Sequence, residues 1–183
     1  MSITITIVTT ANRTLRFTQS EPQQVGDILA SLRRCTQLFS NRTLVVVSDT
    51  GTDVFSPASI TRIEIETDND LSPYLPPAWE IATRALPDVA TLTPGMVDDH
   101  HIAARIDFFF EGGDTLATWF ERNRPLGAAE RTMQITRLFE QPIIPYHLVN
   151  PGIGFMNPAA MTRASLGIAM TDAPTSTWHV KNV

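Results

Sequence analysis

Phe55-Ser56-Pro57-Ala58-Ser59-Ile60-Thr61-Arg62 and Phe155-Met156-Asn157-Pro158-Ala159-Ala160-Met161-Thr162-Arg163 read as two versions of one phrase. Each runs from a Phe through Pro-Ala to an apolar residue followed by Thr-Arg. Beyond the first phrase, Thr61, Ile63 and Ile65 alternate with Arg62, Glu64 and Glu66. Beyond the second, Thr162, Ala164 and Leu166 alternate with Arg163 and Ser165. A period of two predicts a strand with one face turned inward. Proline can begin a strand but not occupy its middle, so Pro57 and Pro158 are expected to mark where each strand starts.

Working back from each phrase, the same order of elements recurs. Thr43 to Ser48 and Ile143 to Leu148 read as strands, turning at Asp49 to Asp53 and at Asn150-Pro151-Gly152. Before them lie helical stripes. The first has Val25, Ile28, Leu29, Leu32, Cys35 and Leu38-Phe39 on one face, with Pro22 near its start and Ser20 as N-cap. The second has Leu126, Ala129, Met133 and Leu138-Phe139, started by Pro125. Thr36-x-Leu38-Phe39 matches Thr136-x-Leu138-Phe139. Earlier still, Ile3, Ile5 and Ile7 alternate with threonines and return through Thr14 to Phe17. Ala104 to Phe110 returns through Thr115-Leu116, its turn supplied with positive φ by Gly112-Gly113. Ile5 lies over Ile106, Thr14 over Thr115 and Leu15 over Leu116 at one constant offset.

The expected fold is therefore α+β with mainly antiparallel sheets. Two tandem ββαββ units, residues 1–67 and 102–170, are expected to pack as an intramolecular pseudo-dimer. A proline-rich linker, 68–101, is predicted to hold a short helix from Pro77, with Trp79, Ala82 and Leu86 on one face. Residues 171–183 read as an extended tail.

The composition narrows the chemistry. Of 183 residues, 43% are hydrophobic and 18% charged, as in an ordinary globular protein. No apolar run approaches the ~20 residues a membrane-spanning helix needs. With neither a membrane span nor a secretory leader in evidence, the expected location is the cytoplasm. Net charge is −5, which argues against nucleic acid as the main partner. Cys35 is the only cysteine, so no disulfide or thiolate cluster forms within one chain, and its place on the helical stripe makes it a core residue. Thirteen arginines stand against the single Lys181, a bias that either codon usage or anion recognition would produce.

No nucleophile elbow, catalytic-cysteine signature, phosphate-binding loop or dinucleotide fingerprint is present, and no cofactor is expected. Asp98-Asp99-His100-His101 is the only run of metal-ligand types, with His147 able to join it in space; a solvated linker end is the plainer interpretation. Arg62 and Arg163 occupy matched places. They could bind a small anion between the units, or each could pair with a nearby acid, such as Glu64 or Glu66 for Arg62. Phe109 points away from Phe108 and Phe110, so another layer must cover it or it forms part of a partner surface with Tyr74 and Trp79. These features favour a non-enzymatic binding or assembly protein, with a protein partner or self-association. A small-anion binder or metal-dependent hydrolase between the repeats is the alternative.

Overall fold

The alternating Ile3-Thr4-Ile5-Thr6-Ile7 stretch forms β1 (Ile3–Thr9), which turns back into β2 (Thr14–Gln19). Asn12 takes a positive φ of 54° in this turn. The computed structural model describes residues 2–40, 43–77, 79, 81–87, 95–97, 101–123, 137–168, 177–178 and 180–181. Helix α1 (Pro22–Ser31) begins with proline at its first turn and continues as a tighter 3-10 segment, Leu32–Gln37. Its N-cap is Glu21 rather than Ser20, without a side-chain bond. The Gln19 carboxamide accepts from the Ser20 and Glu21 backbone N–H groups instead, each at 2.9 Å. Val25, Leu29, Leu32 and Cys35 are buried along the expected stripe.

Next come β3 (Leu44–Ser48) and β4 (Gly51–Phe55), a 3-10 turn at Pro57–Ser59, and β5 (Ile60–Glu66). Pro57 thus opens a turn, not the strand, because a residue without an N–H fits the first position of a helical turn. The predicted fourth strand is two strands, and the first half of the chain is ββαβββ. The second half has β8 (Ile102–Phe110), β9 (Thr115–Arg122), β10 (Ile144–His147), β11 (Gly152–Met156), a 3-10 turn at Pro158–Ala160, and β12 (Met161–Leu166). Residues 124–136, where the second helix is predicted, lie outside the described residues.

Between the halves the chain contributes β6 (Thr83–Ala85) and β7 (Gly95–Val97). The segment predicted to be a helix from Pro77 therefore ends in a strand. Pro77 and Pro87 bound a stretch too short to hold a helix unaided. The edge of β9 satisfies its backbone instead: Glu121 N donates to Ala82 O and Leu86 N to Ala117 O.

Among the described residues, one ten-stranded sheet runs β12-β8-β9-β6-β10-β11-β5-β1-β2, with β7 beside β8, while β3 and β4 form a separate hairpin. All pairings are antiparallel except β6 with β10. This is an α+β fold with a mainly antiparallel sheet. No described helix is long and apolar enough to cross a membrane.

The registers of the two halves correspond. Adding 101 to both members of Ile5↔Phe17 gives Ile106↔Thr118, and Thr6↔Glu64 becomes Asp107↔Ser165. The irregular pair Thr9↔Ile60 maps onto Phe110↔Met161, so the bulge recurs as well. Thr61 Oγ1 donates to Val8 O at 3.1 Å, and Thr162 Oγ1 to Phe109 O at 3.1 Å. Gly113, with φ 88°, stands where Asn12 stands. The closing hairpins do not keep this offset in both strands, since Leu44↔Phe55 would become Pro145↔Met156 while Met156 pairs with Ile144. Counted back from the proline turns at Pro57 and Pro158, Phe155 corresponds to Val54 and Met156 to Phe55.

One face of β1, β5 and β11 packs against α1. Ile3, Ile7, Ile63, Ile65, Ile153 and Phe155 are buried there, together with Val25 and Leu29. Each such side chain contributes about 1.5–3 kcal/mol by leaving water. A second cluster (Phe108, Phe110, Tyr146, Met156 and Met161) seals the opposite face of β10 and β11 against β8 and β12.

Candidate functional site

The halves meet through a compact polar cluster. Arg62 on β5 donates from Nε to Glu64 Oε1 at 3.0 Å and from Nη1 to Asp114, which follows the β8–β9 turn. Thr61 Oγ1 also donates to Asp114, at 3.4 Å. The Tyr146 hydroxyl reaches across β11 to donate to Glu64 at 2.7 Å. That reach requires Gly154 beneath it, since a Cβ there would overlap the Tyr146 ring. Side chains of Arg62, Glu64 and Asp114 are only 15%, 20% and 11% exposed. Burial first, and then the Glu64 charge, hold the Tyr146 phenol well above its ordinary range. The phenol therefore stays protonated and acts as a donor. Every charge in the cluster has a partner, so it serves as a joint between the halves.

Arg163, the counterpart of Arg62, lies elsewhere in chemistry. Its guanidinium carbon sits 4.0 Å from the centroid of the Phe109 ring, directly across the β12–β8 ladder. Phe109, itself partly buried, is thus covered in part by an arginine from the neighbouring strand. The two matched guanidinium groups thus have different partners, carboxylates for Arg62 and an aromatic ring for Arg163. For Arg62 the pairing with Glu64 holds, with Asp114 as a second acid that sequence spacing did not reveal.

Trp79 stacks on Phe155 with centroids 6.4 Å apart, and Tyr74 also packs on the α1-side core. Both are partly buried. Asp98, Asp99 and His100 lie outside the described residues. His101 Nε2 is 3.1 Å from Glu121 Oε1 on β9, and Arg84 Nη2 on β6 is 3.5 Å from Glu121 Oε2. Arg84 and Glu121 border a cleft of about 480 Å³, lined also by Thr83, His147, Ile81 and Leu148. No three His, Cys, Asp or Glu side chains group to hold a metal ion among the described residues.

Three of the exposed apolar side chains among the described residues lie together on the β3–β4 hairpin. Leu44, Val46 and Phe55 pack inward on the α1-side core. Val45, Val47 and Val54 point outward and are 52%, 74% and 63% exposed. Val45 and Val54 are directly opposed across the ladder, so they form one patch. β4 has β3 as its sole strand partner among the described residues, and β12 ends the large sheet. A signal for this patch was available in the sequence. Leu44-Val45-Val46-Val47 is apolar at successive positions, and such a strand needs cover on both faces. Comparison with protein-family models, curated proteins and solved structures found no match.

Proposed function

We propose that this is a non-enzymatic binding or assembly protein whose partner surface is the β3–β4 hairpin and the adjoining open strand edges. The observation that carries this proposal is the valine patch. Val45, Val47 and Val54 stand in water on a hairpin whose other face is already packed. Exposed apolar residues grouped on one element, beside an unpaired strand edge, are what strand addition by a partner requires. We further propose that the halves are tandem duplicates packed as a pseudo-dimer, a view supported by the shared registers and shared bulge.

A small-anion site between the halves has less support, because Arg62 is already engaged by two carboxylates and Arg163 lies over Phe109. The test is to replace Val45, Val47 and Val54 together with Ser in a tagged chain. Its thermal stability should stay near wild type, while what the wild-type chain retains is lost. An unchanged set of retained proteins, together with unchanged self-association, would sink the proposal.

A further inference from the structure

The partner of the exposed hairpin can be worked out from the chain's own second half. β11 lies along the edge of β5, with Ile153 opposite Ile65 and Phe155 opposite Ile63. There Phe155 is 0% and Ile153 2% exposed. Subtracting 101 from the β11 positions leads to β4, and adding 101 to those of β5 leads to β12. The pairs become Thr52 opposite Leu166 and Val54 opposite Ala164. Among the described residues, both of these strands have a free edge. The residue corresponding to buried Phe155 is Val54, left 63% exposed.

Backbone polarity agrees with the transfer. In the β11–β5 ladder, Thr67 N donates to Pro151 O and Asn157 N to Thr61 O, so Ile63 and Ile65 turn their backbone groups toward β11. Their counterparts are Ala164 and Leu166. Gly167 N donates to Arg105 O of β8, and by alternation Ser165 and Arg163 face β8 too. Ala164 and Leu166 therefore present their N–H and C=O groups to the open side. These are the residues that the transferred register needs.

Resting on the assembly role proposed above, we infer that β4 of one chain pairs antiparallel with β12 of a second copy, Val54 opposite Ala164 and Thr52 opposite Leu166. The same contact repeats in the other direction, as a two-fold axis requires. Within one chain β4 and β12 are not paired, and Leu44, Val46 and Phe55 already pack on the α1-side core. A second copy reaches the free edge with the hairpin left in place. Val54 then continues into the half-buried Ala164 and Leu166 on one face of the joined sheet. On the other face, exposed Asp53 lies one pair along from exposed Arg163, within reach of a diagonal ion pair.

Sedimentation of the full chain over a range of concentrations should show a monomer–dimer equilibrium. Ala164→Pro removes an outward N–H and leaves the β8 ladder intact, so it should weaken dimerisation roughly tenfold or more. Val54→Lys, at an exposed site that cannot unfold the monomer, should do the same. Mixing a Val54→Cys chain with an Ala164→Cys chain under mild oxidation should give a cross-linked dimer that neither gives alone. A wild-type chain that stays monomeric, or a dimer indifferent to both Ala164→Pro and Val54→Lys, overturns the pairing. So does an intramolecular link in the chain carrying both cysteines. If the chain is monomeric yet the triple valine-to-serine variant loses a retained protein, self-pairing fails and the assembly role stands. If that variant alters neither, both fail.

Discussion

Phe155 and Val54 hold the same register position on two hairpins, and their surroundings are opposite. Phe155 is fully buried between β5, α1 and the ring of Trp79, while Val54 is 63% exposed. The hairpins have the same strand order and lead through the same kind of proline turn into a long strand. What differs is the neighbour: β11 has the edge of β5 beside it, and among the described residues β4 has no strand but β3. Burial on these hairpins is therefore decided by which edges meet, and residue type follows it. Where the edge is occupied the chain carries Ile153 and Phe155; where it is open it carries Thr52 and Val54.

The contrast can be tested at paired positions. Phe155→Ala should cost about 3–5 kcal/mol in urea denaturation, as truncation of a buried aromatic does. Val54→Ala, in the monomer, should stay within about 0.5 kcal/mol. Similar losses at the two sites would erase the distinction. Gly154→Ala should cost about 1–3 kcal/mol by pushing on the Tyr146 ring. Asp53→Ala, its counterpart on the open hairpin, should be near neutral by the same measurement.

The matched arginines sharpen the contrast between the halves. Arg62→Ala leaves Glu64 and Asp114 facing each other partly buried, and about 1–3 kcal/mol should be lost, solvent access moderating the larger penalty of a sealed pair. Arg163→Ala removes a surface contact with Phe109 and should cost about 0.5–1 kcal/mol. Equal effects would mean that the joint is no more than a surface contact.

Tyr146→Phe should have a modest effect at neutral pH, about 0.5–1.5 kcal/mol for one hydrogen bond. Its pH dependence is more telling. The folded chain keeps the phenol proton to higher pH than the unfolded chain does. Tyr146 therefore contributes fully below about pH 10, and its contribution is lost as pH rises from there toward the folded value. The difference in Tm between wild type and Tyr146→Phe should shrink above that point. A constant difference on the alkaline side would place the tyrosine in water.

Much of the local structure was legible in the residues. Alternation gave the faces of β1, β5 and β8, and helical spacing gave the buried stripe of α1, because each depends on neighbours within a few positions. The strand at Thr83–Ala85 was not legible, since its backbone partners lie on β9 and β10, far along the chain. Nor was Asp114, which meets Arg62 only once the two halves are packed. Glu64 was within reach of inference, as it sits two residues along the same strand face. The valine patch was visible as a run of apolar residues, but its exposure was not: a sequence shows what needs covering and is silent about whether a cover arrives.

The tips of the β1–β2 and β8–β9 hairpins touch, and a Cβ at Gly112 would overlap the Thr10 carbonyl oxygen. Turns usually tolerate foreign sequence, but these two have no room for it. An epitope or fluorophore spliced into either would wedge the halves apart at the Arg62 joint. The exposed Asp49-Thr50 bend is the place for such a graft, and one there would also report on whatever the valines meet.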